Sequence, residues 1–197
     1  MSATILVVFA FIFVAELPDK SMFASLALST RFRKSYVWAG AAVAFLIHVI
    51  IAVTAGHLMT LLPRHLLEAI IGVLFLLGAG LLAFGKDEDE AEERRKLEKQ
   101  ARGAADTFPK VFATSFVVIF LGEWGDITQI ATANFAAKYH DPLSVSIGAV
   151  AALWTVAALG VTLGSKLIKH VPGRTLQRVT AVILVIFAAV SFFTAFK

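Results

Sequence analysis

The chain has 197 residues, 58% of them hydrophobic, and a mean hydropathy of +0.81, well above the roughly 45–50% apolar content of an ordinary globular domain. This reads as an integral membrane protein. The absence of cysteine excludes disulfides, thiolate metal sites and cysteine nucleophiles, and the net charge of +4 says little about nucleic acid, because Lys and Arg in a membrane protein are placed by topology first.

Six apolar segments follow in chain order, at about 3–28, 36–58, 67–85, 110–136, 142–165 and 178–196. A helix of about 20 apolar residues at 1.5 Å rise spans the hydrocarbon core of a bilayer, so each is predicted to be a membrane helix. No Lys or Arg precedes the first run, and acidic residues interrupt it, so it reads as a first membrane span rather than a cleaved signal peptide.

The loops alternate in charge. The first, third and fifth carry three, seven and four Lys or Arg, whereas the second and fourth carry one each. By the positive-inside rule the basic loops face the cytoplasm and both termini lie outside, in a multi-pass protein of the cell (plasma) membrane. Tyr36 and Trp38 then fall at the cytoplasmic start of the second span, where interfacial aromatics belong. The third loop runs acidic first (Asp87 to Glu93) and basic second (Arg94 to Arg102). That order suits the macrodipole of a cytoplasmic helix, and a solvated linker with partial helix is expected there.

Two stretches break the apolar pattern at mid-span. Glu16-Leu17-Pro18-Asp19-Lys20-Ser21 lies in the first segment, and Glu123-Trp124-Gly125-Asp126-Ile127-Thr128 lies in the fourth, 107 positions later. The rest of the halves repeats too: Gly40-Ala41 matches Gly148-Ala149, and Val53-Thr54-Ala55-Gly56 matches Val161-Thr162-Leu163-Gly164, at an offset of 108. Three spans per half is an odd number, so the second half enters the membrane from the opposite side. The fold expected is all-α, with six transmembrane helices forming two inverted three-helix repeats at 1–85 and 110–197, joined by a charged cytoplasmic linker at 86–109.

Ionisable groups within a bilayer cost about 2.5–3.5 kcal/mol each even on lenient scales. Glu16, Asp19, Glu123 and Asp126 therefore read as one polar site, each motif presenting its carboxylates at i and i+3 on a shared helix face. Pro18 removes a backbone donor and Gly125 weakens its helix, so a local break is expected at each motif. With Lys20 as an internal counter-charge the cluster sums to about −3, which a dry interior does not tolerate uncompensated. A divalent cation or protons must offset it, and their competition for the same oxygens is what antiport requires. The oxygen-rich set, with Ser21, Thr128 and Gln129 beside the carboxylates, suits a hard ion such as Mn2+, Ca2+ or Mg2+. Asn134 offers a further amide oxygen, and Met22 one soft donor. His48, midway along the second span, reads as a hydrogen-bonded packing residue. A buried network with Lys20 that only ties helices together is the plainer reading of the carboxylates.

A pattern of Glu-x-Gly-Asp-Lys/Arg-Ser/Thr once per three-helix half resembles the signature of uncharacterised protein family 16. These are Golgi, chloroplast and bacterial manganese or calcium/proton antiporters within the lysine exporter superfamily. The resemblance covers essentially the whole chain. It implies cation/proton exchange, with Glu16, Asp19, Glu123 and Asp126 at the cation site and Ser21 and Thr128 in support. Two positions depart from the signature: Pro18 stands where the family has Gly, and Ile127 where it has Lys or Arg. The expected function is a secondary transporter, not an enzyme, with no prosthetic group. It exports Mn2+, or Ca2+, in exchange for protons, and its partners are the divalent ion, protons and the lipid bilayer, with no nucleic acid. Such a chain acts as a monomer or homodimer. A cation channel and a scaffold for membrane-protein assembly are the alternatives. An intramembrane aspartyl protease fits less well, because Glu123 stands where the first Gly of Gly-x-Gly-Asp belongs.

Overall fold

Neither apolar run that carries an acidic motif folds as one straight helix. In the computed structural model, which describes residues 2–17, 20–84, 107–170 and 173–195, α1 (Ser2–Glu16) ends on the first motif glutamate and α2 (Lys20–Ser29) begins past it. After α3 (Lys34–Met59) and α4 (Arg64–Phe84), α5 (Phe108–Gly122) and α6 (Ile127–Tyr139) repeat the break, with a bend of 73° between them. The chain closes with α7 (Pro142–His170) and α8 (Gly173–Ala195). The helix expected in the 86–110 stretch falls almost wholly outside the described residues, as do Pro18 and Asp19.

Local chemistry sets these boundaries. α5 starts after Thr107 in an extended conformation, with Pro109 in its first turn, where a missing N–H is harmless. It ends at Gly122, and Gly125 in the break takes φ +77°, a left-handed conformation that glycine enters without steric penalty. Asp126 is extended and caps α6, accepting the Thr128 backbone N–H at 3.3 Å. At the far end His140, at φ 50°, stops α6. Asp141 then accepts the Ser144 N–H at 3.1 Å at the start of α7.

Packing is by close helix contact, as expected where lipid tails are as apolar as the side chains they compete with. α1 runs along α7 and α5 along α3, while α2 packs on α7 and α6 on α3; α3 meets α7, and α4 pairs with α8. Glycines permit the first of these contacts. A Cβ on Gly40 would lie 2.5 Å from the Phe112 carbonyl oxygen, and one on Gly148 would lie 2.7 Å from that of Ile5. Where α3 meets α7, Trp38 Nε1 donates to the Trp154 carbonyl at 3.1 Å and Trp154 Nε1 to the Ala42 carbonyl at 3.0 Å. Phe11, Phe75, Phe135 and Phe187 join α1, α4, α6 and α8 through ring contacts of 5.2–6.0 Å.

Outside, the helices present apolar side chains such as Leu6, Ile50, Leu58, Leu77, Ile186 and Phe193, a surface suited to hydrocarbon rather than water. Among the described residues, α3 and the 142–163 part of α7 are long and apolar enough to cross a membrane, and the bent α5–α6 pair makes a third such unit. α1 and parts of α4 and α8 are apolar but shorter. The described residues are thus those of an all-helical membrane protein.

Candidate functional site

Glu16 is the last residue of α1 and is fully buried. Its carboxylate oxygens are held from two directions. Ser21 Oγ, in the first turn of α2, donates to Oε2 at 2.6 Å, and Thr128 Oγ1, in the first turn of α6, donates to Oε1 at 2.6 Å. Such short bonds mark a charge-assisted acceptor. The second of them joins residues 112 positions apart, so the two motifs meet.

The second motif supplies its own acids. Glu123, 5% exposed, closes α5 with its N–H donating to the Ile119 carbonyl at 3.0 Å. Asp126 lies just past the Gly125 turn and accepts from Thr128 N–H and, at 3.4 Å, from Thr128 Oγ1. Carboxylate oxygens of Glu16, Glu123 and Asp126 all come within 4.8 Å of one another. Oxygens on opposite sides of a Ca2+ shell stand about 4.6–5.2 Å apart, and across Mg2+ about 4.0–4.2 Å, so the trio has the spacing of a shared cation shell. The helix dipoles are neutral to this, since α1 and α5 end at the site and α2 and α6 begin there. A hydroxyl that gives its proton to Glu16 also keeps its lone pairs for a cation.

The other expected participants fall differently. The carboxylate of Asp19 and the ammonium of Lys20 are outside the described residues. Gln129 sits beside the cluster, but its Oε1 accepts the Gly125 N–H at 2.7 Å and its amide nitrogen lies 3.0 Å from His48 Nδ1. Asn134 is fully buried two turns along α6, where its side chain makes no hydrogen bond. Met22 packs against α7, its Cγ within 3.3 Å of where a Cβ on Gly160 would be. His48 is buried and hydrogen-bonded, as its sequence context suggested. The sequence carried no signal that it would reach the motif, because its partners Gln129 and Phe120 are 81 and 72 positions away. Trp124, 60% exposed, sets its ring edge-on to His48 at 5.8 Å.

The Gly125 turn makes a direct prediction. A Cβ there would touch nothing within 4 Å, yet an L residue held at φ +77° is strained by about 1–2 kcal/mol. Gly125→Ala should lower stability in detergent by that amount, read as a lower thermal unfolding temperature. Gly122→Ala, equally uncrowded and at ordinary φ, should stay within about 0.5 kcal/mol of the parent. Equal stability of the two variants would show that the turn does not need glycine.

The chain matches the family model described as divalent cation/proton antiporter GDT1 twice, over residues 4–90 and 111–197, stretches set 107 positions apart like the motifs themselves. Among similar proteins is a GDT1-like protein of Synechocystis sp., 28% identical over 191 residues that cover 92% of each chain. GDT1-like protein 5 of Arabidopsis thaliana is 27% identical, over 94% of this chain and 93% of that one. The chloroplastic PAM71 homolog of Arabidopsis thaliana is 26% identical over 95% of this chain, which spans only 58% of that longer protein. No solved structure matches. Buried carboxylates converge at the helix breaks of a membrane protein, and by the two matches the chain belongs to the GDT1 family of divalent cation/proton antiporters.

Proposed function

We propose that this transporter carries Mn2+, with Ca2+ as the next preferred ion, out of the cytoplasm in exchange for protons. The observation that carries the reading is the convergence of Glu16, Glu123 and Asp126 within 4.8 Å at the breaks of two helix pairs. Those three are the core ligands, Asp19 is the fourth, and Lys20 is the internal counter-charge. Ser21 and Thr128 orient Glu16 and add hydroxyl oxygens. Gln129 supports the set from the Gly125 turn.

The working unit is a six-span protein of two inverted three-helix repeats, 1–85 and 110–197, joined by the 86–109 linker in the plasma membrane with both termini outside. The matched packing of α1 on α7 and α5 on α3, and the two family matches at the motif offset, support that arrangement. Alternating access then needs one movement only: the bundle rocks about α3 and α7 so that the central site opens to one side at a time. Metal and protons exclude each other because both need the same carboxylate oxygens, so loading one releases the other.

Proteoliposomes with an imposed pH gradient test this. Mn2+ should move against its own gradient and faster than Ca2+, with Mg2+ slowest, and binding should release protons and weaken as pH falls. Flux driven by voltage and indifferent to the pH gradient would make the protein a channel. If no divalent ion moved at all, a scaffold for membrane-protein assembly would be the reading left.

A further inference from the structure

The two motifs carry different residues at their matched central positions, and beside the second break runs a hydrogen-bond chain that includes His48. Pro18 and Gly125 occupy equivalent positions, 107 apart. Proline breaks a helix unaided, since it lacks the N–H and clashes with the preceding turn. Glycine only permits a break; it does not define one. The Gly125 turn is instead strapped from outside. Its N–H donates to Gln129 Oε1 at 2.7 Å, Gln129 Nε2 meets His48 Nδ1 at 3.0 Å, and His48 Nε2 meets the Phe120 carbonyl oxygen at 3.0 Å.

Both ends of this chain fix its direction. The Gly125 N–H can only donate, so the Gln129 oxygen faces the turn and its NH2 faces His48. The Phe120 carbonyl can only accept, so the hydrogen of His48 sits on Nε2 and Nδ1 receives the Gln129 amide. Phe120 is in the last turn of α5, where carbonyls lack an intrahelical partner, and Gln129 is in the first turn of α6. The bond from His48 to Gln129 is the one that bears on the Gly125 turn, and through its two ring nitrogens His48, projecting from α3, touches both sides of the break. Between them lie Glu123 and Asp126, two of the three converging carboxylates.

No such strap is available to the first motif. The positions matching Gly125, Gln129 and His48 are Pro18, Met22 and Val156, which offer no N–H at the turn, no amide and no imidazole. We propose that His48 is a positioning residue for the cation site: acting through Gln129, it holds the Gly125 turn so that Glu123 and Asp126 face Glu16. The inference rests on the transport reading above for its effect on ions, and on the hydrogen-bond chain itself for the strap.

Side-chain isosteres separate the two bonds of the imidazole. His48→Asn puts an amide oxygen near the place of Nδ1 and can still accept from Gln129. His48→Gln puts its amide nitrogen near Nε2 and keeps the Phe120 contact only. In Mn2+ flux assays with proteoliposomes, His48→Ala, His48→Gln and Gln129→Leu should each raise the KM for Mn2+ about tenfold with the maximal rate little changed, as loss of an outer support to a metal site does. His48→Asn should stay near the parent, and His48→Ala with Gln129→Leu should be no worse than either alone. Independently of transport, amide hydrogen exchange of the peptide spanning 121–130 should run roughly fivefold faster in His48→Gln than in His48→Asn. Equal exchange in those two variants, or additive effects in the double variant, would overturn the strap. If the parent moves no divalent ion, the transport reading falls and the exchange comparison still decides the role of His48.

Discussion

Glu16→Gln should reduce Mn2+ flux by at least about 100-fold. The carboxylate is fully buried and accepts two hydroxyl protons at 2.6 Å. Glutamine matches its shape but has one accepting atom, so either Ser21 or Thr128 must face an NH2 group. The site also loses one of the charges that compensate the ion. Removing one member of a buried, mutually compensating set costs about 3–5 kcal/mol, or roughly 100- to 4,000-fold in binding. The variant should nevertheless fold. Glutamine is neutral, as the protonated carboxyl that replaces the metal-bound one would be, so thermal stability in detergent should stay close to that of the parent. Flux at the parental rate, or loss of flux that merely follows unfolding, would remove Glu16 from the ion site. Asp126→Asn should behave in the same direction while keeping the α6 cap, because an asparagine oxygen can still accept the Thr128 N–H.

Gly40→Ala should be among the most damaging of the small-residue changes. A methyl group there would sit 2.5 Å from the Phe112 carbonyl oxygen and 2.8 Å from Ser115 Cβ. Helix backbone cannot step aside as a flexible side chain can, so α5 must move off α3. Overpacking of this kind costs about 1–3 kcal/mol, and α5 carries Glu123 at its end. Gly148→Ala should act alike on α1 and Glu16, since its methyl would lie 2.7 Å from the Ile5 carbonyl oxygen. Gly80→Ala is the control: an added methyl meets nothing within 4 Å, and alanine favours helix over glycine by up to about 1 kcal/mol. Thermal unfolding in detergent, together with the KM for Mn2+, measures all three. Unchanged stability and KM in Gly40→Ala would mean that α3 and α5 are not held at this separation in the membrane.

Much of the site was legible in the order of the residues. Glu16 and Glu123 announce themselves because a carboxylate in an apolar run has no cheap explanation, and the two copies at one offset implied that they work together. The helix break was likewise readable from Gly125. What could not be read was the use made of neighbouring polar groups. Gln129 has the chemistry of a ligand, yet its oxygen is taken by a backbone N–H four residues back. Asn134 has the same chemistry and the right helical face, yet lies two turns from the convergence. His48 looked like packing because a single imidazole in a span has no periodicity to interpret.

Membrane residence, helical class and the oxygen-rich chemistry of the two motifs follow from the sequence by itself, because in a bilayer the cost of placing each side chain depends mainly on its own chemistry and its depth. The meeting of Glu16 with Thr128, 112 positions away, and the strap from His48 to the Gly125 turn were decided only by the tertiary structure. They depend on how closely α3 approaches α5 and α6, and on the 73° bend. Those distances come from many backbone contacts summed across helices, such as the one at Gly40, and no single stretch of sequence encodes that sum.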